Sequence, residues 1–131
     1  METILLKSSS RFQMIDVTSQ VNKIISDKRI NEGICLLFTP HTTTAVTLSE
    51  NTDSNVIIDT ITALAKLVPR ESGYKHAEGN SQAHILSSII GASLSLIVKG
   101  GALLLGQWQG VMFLELDGPR TRKLQVKLSE G

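Results

Sequence analysis

The chain has 131 residues, 41% of them hydrophobic and 19% charged, with a formal net charge of +1. That length makes one domain, residues 1–131, able to bury a core without disulfide or metal staples. So even a charge balance excludes a general electrostatic footprint for nucleic acid or an anionic membrane.

Cys35 is the single cysteine and has no partner for an internal disulfide. Set among Ile34, Leu36 and Leu37, it reads as a small buried hydrophobe, and a reducing cytoplasm is the expected location. Met1 to Lys7 lacks the long apolar run of a signal peptide. The apolar stretch from Gly91 to Leu116 is interrupted by Lys99, five glycines and two glutamines. A spanning helix needs about 20 apolar residues in succession, so no membrane segment is expected.

Thr3 to Lys7 and Phe12 to Ile15 read as short strands around the polar turn Ser8-Ser9-Ser10-Arg11. Asp16 or Thr18 offers an N-cap for a helix to about residue 27, with Val21, Ile24 and Ile25 as its apolar stripe. After the turn Asn31-Glu32-Gly33, the run Ile34 to Phe38 suits a strand covered on both faces. Pro40 stops it. Alternation around Val46 and Leu48 predicts the next strand.

Asn51 or Asp53 can cap a helix to about residue 68, whose Ile57, Ile61, Leu64 and Val68 repeat at helical spacing as one buried face. Ser81 is the expected cap of a shorter helix to about residue 90. Leu86, Ile89 and Ile90 would face inward, with His84 and Ser88 on another face, and Gly91 would end it. The last third reads as β. Strands are expected around Leu94–Val98, Leu103–Leu105, Val111–Leu116 and Leu124–Leu128, punctuated by Gly100-Gly101 and Asp117-Gly118-Pro119-Arg120. About eight strands and three helices, with no helix inside the final β run, predict a single α+β domain of mixed or antiparallel sheet layers. The Val111–Phe113 face would need a cover, and another subunit is the expected one if the helices take only the opposite face.

Three groups of residues can carry chemistry. His41, His76 and His84 are the first: three neutral imidazoles can hold zinc and leave a position for water or substrate. Their spacing matches no short motif, and ordinary hydrogen-bonding roles in loops suit them as well. The second is a set of anion donors, Thr42, Thr43, Thr44, Asn80, Ser81 and the Gly79 backbone, with Arg120 or Arg122 as a guanidinium clamp and a helix N-terminus near Ser81. Threonines at strand edges and glycines in turns account better for any one of these residues taken alone. The third is acidic: Glu50, Asp53, Asp59, Glu78, Glu115 and Asp117. Asp53 reads as a cap and Asp117 as a turn former, while Glu78, two residues from His76, can orient an imidazole or act as general acid and base. Trp108 suits a ring-binding wall or the core. No phosphate-cradling loop and no nucleophile elbow occurs.

Four motifs run in order along nearly the whole chain. They are Pro40-His41-Thr42-Thr43 with Glu50-Asn51 and Asp53; Tyr74-x-His76-x-Glu78-Gly79-Asn80-Ser81-x-Ala83-His84; Leu105-Gly106-x-Trp108-Gln109-Gly110; and Glu115-x-Asp117-Gly118-Pro119-Arg120. Together they resemble the YjbQ-like family, also labelled secondary thiamine-phosphate synthase. Gln107, where a threonine is common, and Thr44, where a small residue often stands, are local departures.

The resemblance implies a compact α+β fold, a homotrimer, and a polar site in which zinc or a sulfate-like anion can sit. Carried over, His41, His76 and His84 are the metal set, with Glu78, Asn80 and Arg120 near it. Glu78 and His84 are then the expected catalytic residues, and Thr42, Thr43, Asn80, Ser81 and Arg120 the expected binders of a phosphorylated small molecule. The implied activity is weak thiamine-phosphate synthesis, joining a pyrimidine-methyl diphosphate to a thiazole phosphate with loss of pyrophosphate. A TIM barrel of about 250 residues cannot fit in this length, so any such activity is an independent solution on another fold. A trimer that binds a phosphometabolite without catalysis is the rival expectation.

Overall fold

The computed structural model describes all residues, Met1–Gly131. Its elements run β1 (Glu2–Lys7), β2 (Gln13–Asp16), α1 (Thr18–Asp27), β3 (Gly33–Phe38), β4 (Thr44–Glu50), α2 (Ser54–Leu67), α3 (Ser81–Ile90), β5 (Ser93–Lys99), β6 (Ala102–Leu103), β7 (Gln109–Glu115) and β8 (Thr121–Glu130). Five strands pair in the order β1-β8-β3-β5-β6 and three in the order β2-β7-β4. Every pairing is antiparallel. The expected α+β domain of eight strands and three helices is what forms, with β6 shortened to two residues.

Two cores make three layers. Between the sheets, Val46, Val111 and Phe113 pack with Ile4, Leu6, Cys35, Leu37, Val98, Leu124 and Val126, and α1 adds Val21 and Ile25. Behind the three-stranded sheet, Ala45, Met112, Leu114 and Leu116 pack with Ala83 and Leu86 of α3 and with Val68. Strand β7 is therefore covered on both sides within one chain, because alternate residues of one strand feed both cores. The expected second subunit over Val111 and Phe113 is not needed; the chain's own five-stranded sheet fills that place.

The exposed apolar face lies elsewhere. Strand β3 was expected to be covered on both faces, yet only Cys35 and Leu37 are buried, while Ile34, Leu36 and Phe38 face outward. Its apolar run conceals an ordinary one-sided strand. The thiol of Cys35 is fully buried, which pushes its pKa up to about 11.

Helix α1 is held by Asp16, which accepts from both the Thr18 N–H and the Thr18 hydroxyl. Helix α2 begins at Asp53, whose carboxylate accepts from the Asn55 N–H at 2.9 Å; Asn51 instead donates to Asp16. None of α2's residues is buried, so the expected inward face of Ile57, Ile61 and Leu64 is only half-covered. Helix α3 starts one residue earlier than expected: Asn80, not Ser81, occupies the cap position, and its side chain makes no capping bond. Leu86 is buried, Ile90 half-buried and Ile89 exposed. Gly91 closes the helix at φ 107°, a conformation a side chain would resist. No helix is long and apolar enough to cross a membrane.

Candidate functional site

The loop 39–43, between β3 and β4, is pinned from below. The Thr39 N–H donates to Ala92 O, the Thr39 and Thr44 hydroxyls pair at 2.6 Å, and the Ser87 hydroxyl of α3 donates to Thr44 O at 2.6 Å. Thr39, Thr43 and Thr44 are buried, whereas Thr42 is exposed. Much of the threonine run is thus structural, and Thr42 is the member turned outward.

Behind this loop lies a buried ion pair. Glu115 follows Val111 and Phe113 on the face of β7 turned to the larger sheet; Arg122 precedes Leu124 and Val126 on the inward face of β8. Glu115 is 0% and Arg122 5% exposed. The guanidinium donates to both carboxylate oxygens, at 2.9 and 2.6 Å, and to the Thr43 hydroxyl at 2.8 Å. The Ser8 hydroxyl and the Asp117 N–H also donate to Glu115. Burial pushes the Glu115 carboxyl up, but the bonds from Arg122, Ser8 and Asp117 outweigh it and hold the group below its ordinary value. One cluster thus fixes the histidine loop, the β7–β8 turn and the segment after β1. Glu115 is one of the acidic candidates, but its pairing with Arg122 is not written in the local sequence. The signal for Arg122 was its place in the same alternation as Leu124 and Val126.

His41 projects from this platform. Its Nε2 accepts the Lys123 N–H at 3.0 Å, leaving Nδ1 to carry a proton in the neutral ring. Burial and the Arg122 charge hold the imidazole below its ordinary pKa, with Lys123 adding to this and Glu115 opposing it. His41 and Thr42 share an open cleft of about 550 Å³ with His84, Ser87 and Ser88 of α3 and with Gly91 and Ala92. The expected common face of His84 and Ser88 is there. The His76 and His84 rings meet edge to face, with centroids 5.2 Å apart. His76 Nε2 stands 3.9 Å from the Glu78 carboxylate, which is largely exposed.

The histidines therefore form a chain of neighbours rather than a cage. His84 is the link: it touches His76 and shares the cleft with His41. Three imidazoles are suitable donors for zinc, but no three His, Cys, Asp or Glu side chains are arranged to hold an ion within the chain. His41 already spends Nε2 on Lys123. In this arrangement the residues do not fit a three-histidine zinc centre.

The other expected binders divide. Thr42 lines the cleft; the Thr43 hydroxyl accepts from Arg122. Asn80 and Arg120 both donate to Asp117 Oδ2, at 2.9 and 3.0 Å, and Arg120 also donates to Asp117 O. Burial pushes the Asp117 carboxyl up, but these bonds and the charges of Arg120 and Arg11 hold it below its ordinary value. Asn80 Oδ1 is buried without a partner. Ser81 is half-buried in the first turn of α3. Trp108 is neither core nor cleft wall; it is exposed.

The sequence model of a family described as UPF0047 protein YjbQ-like matches residues 2–131. A UPF0047 protein of Methanocaldococcus jannaschii is 42% identical over 123 residues, covering 94% of this chain and 89% of its own. The UPF0047 protein YugU of Bacillus subtilis is 40% identical over 129 residues, 98% of each. A crystal structure of a YjbQ/UPF0047 family protein from Clostridium acetobutylicum superposes with a TM-score of 0.96 at 43% identity, covering 98% of this chain and 100% of that one.

Proposed function

The chain belongs to the UPF0047 YjbQ-like family, and from that premise we propose that its histidine cleft binds a phosphorylated small molecule and acts on it, with His84 as the proton-transfer group. The observation that supports this reading is the position of His84, in contact with His76 and lining the same cleft as His41 and Thr42. An imidazole facing an open polar cleft can give a proton to a leaving group. Thr42 offers a hydroxyl to a phosphoryl oxygen. Lys123, exposed beside His41, adds positive charge at the edge, and His76 with Glu78 can relay a proton to solvent.

Thiamine-phosphate synthesis is a reaction of this class. The thiazole ring nitrogen forms the bond to the pyrimidine methylene carbon, the carbon–oxygen bond to diphosphate breaks, and its electron pair leaves with pyrophosphate. His84 would donate a hydrogen bond or proton to the departing oxygen. In this reading the cleft's own side chains carry the chemistry.

The rival reading is a trimer that binds a phosphometabolite and catalyses nothing. It draws support from the Ser87 and Ser88 hydroxyls, both committed to backbone carbonyls, and from the exposed Ile34, Leu36 and Phe38, which association would cover. The test compares pyrophosphate binding with turnover of the two thiamine precursors in wild-type, His84→Ala and Thr42→Ala proteins, with sedimentation to give the assembly. Turnover lost and binding kept in His84→Ala supports the enzyme. Wild-type protein that binds pyrophosphate but does not join the two precursors removes thiamine-phosphate synthesis and favours the binder, and wild-type protein that does not bind pyrophosphate counts against both.

A further inference from the structure

A second cleft, shallow and wide open, of about 340 Å³, lies on the other side of α3 and is lined by Arg11, Phe12, Ala65, Pro69, Arg70 and Gln82. It shares no lining residue with the histidine cleft. Gln82 and His84 are two residues apart on one helix, hence about 200° apart around its axis. We infer that this cleft is a separate binding site for a small oxyanion, a phosphate or carboxylate, carried on a flat or apolar body.

The argument begins with charge. Two guanidiniums line the cleft and no carboxylate does. Neither arginine takes part in an ion pair anywhere in the chain. The Arg11 charge also acts on Asp117, which lies outside the cleft, so an anion held there would meet one partly compensated guanidinium, Arg11, and one without an ion pair, Arg70. A guanidinium fork matches the paired oxygens of phosphate or carboxylate better than a lysine would.

Orientation is the second point. Gln82 is only 4% exposed. Its amide donates to Val68 O at 2.8 Å, which turns its carbonyl oxygen toward Arg11 to accept from Nη2 at 3.1 Å. A buried amide with both ends engaged thus aims Arg11, leaving its remaining N–H groups free. The Arg11 guanidinium also lies 5.9 Å from the Phe12 ring centroid. Apolar contact comes third: Phe12, Pro69 and Ala65 present hydrocarbon beside the charges, which suits the body of a ligand rather than a bare ion. Arg70, exposed and without a hydrogen bond in the chain, is free to close over such a ligand.

The test follows the arginine Nε–H signals by NMR at fixed ionic strength while phenyl phosphate, benzoate or inorganic phosphate is added to the full chain. Wild-type, Arg70→Ala, Arg11→Gln, Arg11→Lys and His84→Ala proteins are compared. The expected result is saturable movement of Arg11 and Arg70 with dissociation constants around 1 mM or tighter. Binding weakens about tenfold or more in Arg70→Ala and Arg11→Gln, as loss of a charged hydrogen bond implies. It is unchanged in His84→Ala, which separates this site from the histidine cleft. Arg11→Lys restores only part of it. Preference for phenyl phosphate or for benzoate identifies the head group, and preference for either over inorganic phosphate identifies the body. Arg70→Ala removes an exposed side chain and keeps the fold, so its result stands even if an Arg11 variant is unstable. Signals that fail to move, move equally with chloride, or saturate unchanged in Arg70→Ala and Arg11→Gln overturn the inference and leave an ordinary solvated surface.

Discussion

Replacing Arg122 with methionine removes one partner of the buried pair and strands the other. Glu115 keeps its Ser8 and Asp117 bonds but loses both guanidinium bonds, and the Thr43 hydroxyl loses its donor. Breaking such a pair from one side costs about 3–5 kcal/mol, because an uncompensated charge stays in the interior. At roughly 3–4 °C per kcal/mol for a domain of this length, the melting temperature should fall by about 10–20 °C. Glu115→Met with Arg122→Met removes both charges and should cost less than the two single changes together, about 1–3 kcal/mol for the unpartnered Thr43 hydroxyl and Asp117 N–H. Urea and thermal unfolding of all four proteins close the cycle. The pH dependence is a second check. The Glu115 pKa is depressed in the fold, so its contribution is complete above the ordinary value of 4.5 and is lost as pH falls through the lower folded value. That loss should vanish in the double variant. A cost below about 1 kcal/mol in Arg122→Met, the scale of an exposed pair, or strict additivity in the double variant would refute the argument.

Three further outcomes are expected. His41 is held below its ordinary pKa of 6.5, so folding favours its neutral form; this contribution is complete above 6.5 and erodes as pH falls through the folded value. Removing the Arg122 charge in Arg122→Met should raise that pKa in an NMR titration, and an unmoved or lower value would contradict the described contact. Dialysed protein should retain well under one zinc per chain by elemental analysis; stoichiometric zinc that disappears in His41→Ala would show that the loop brings His41 onto the His76–His84 pair. Asp53→Ala should cost about 1 kcal/mol in urea unfolding through loss of the α2 cap, and a neutral result would mean that α2 contributes little to the cooperative unit.

Much of the fold could be read because one-sided elements carry their own period. Strand β8 shows its alternation openly, and the caps and turns at Asp53, Gly91 and Gly100-Gly101 follow from backbone chemistry. The misreadings share one cause. A run such as Ile34 to Phe38 states that its residues are apolar but not which face meets a core, and β7 shows the two-sided case with similar composition. In α2 the spacing marks a face and says nothing of how much lies over it. At the site, the motifs picked out His41, His76 and His84 and the loop around them. Their mutual distances depend on how loop 39–43 and α3 dock, which local spacing does not encode. The Arg122–Glu115 pairing is non-local in the same way: β8 hints that one arginine points inward, and only the sandwich supplies its partner.

The lone thiol gives the molecule a built-in stopwatch. Cys35 has no exposed surface and a proton held up to about 11, so an alkylating reagent at neutral pH finds neither access nor thiolate. Modification has to wait until the sandwich parts between β3 and its neighbours. Labelling rates on the unaltered chain therefore count opening events directly, without an introduced fluorophore. Because β3 lies inside the larger sheet between β8 and β5, those counts report rupture of the whole barrier rather than fraying at an edge.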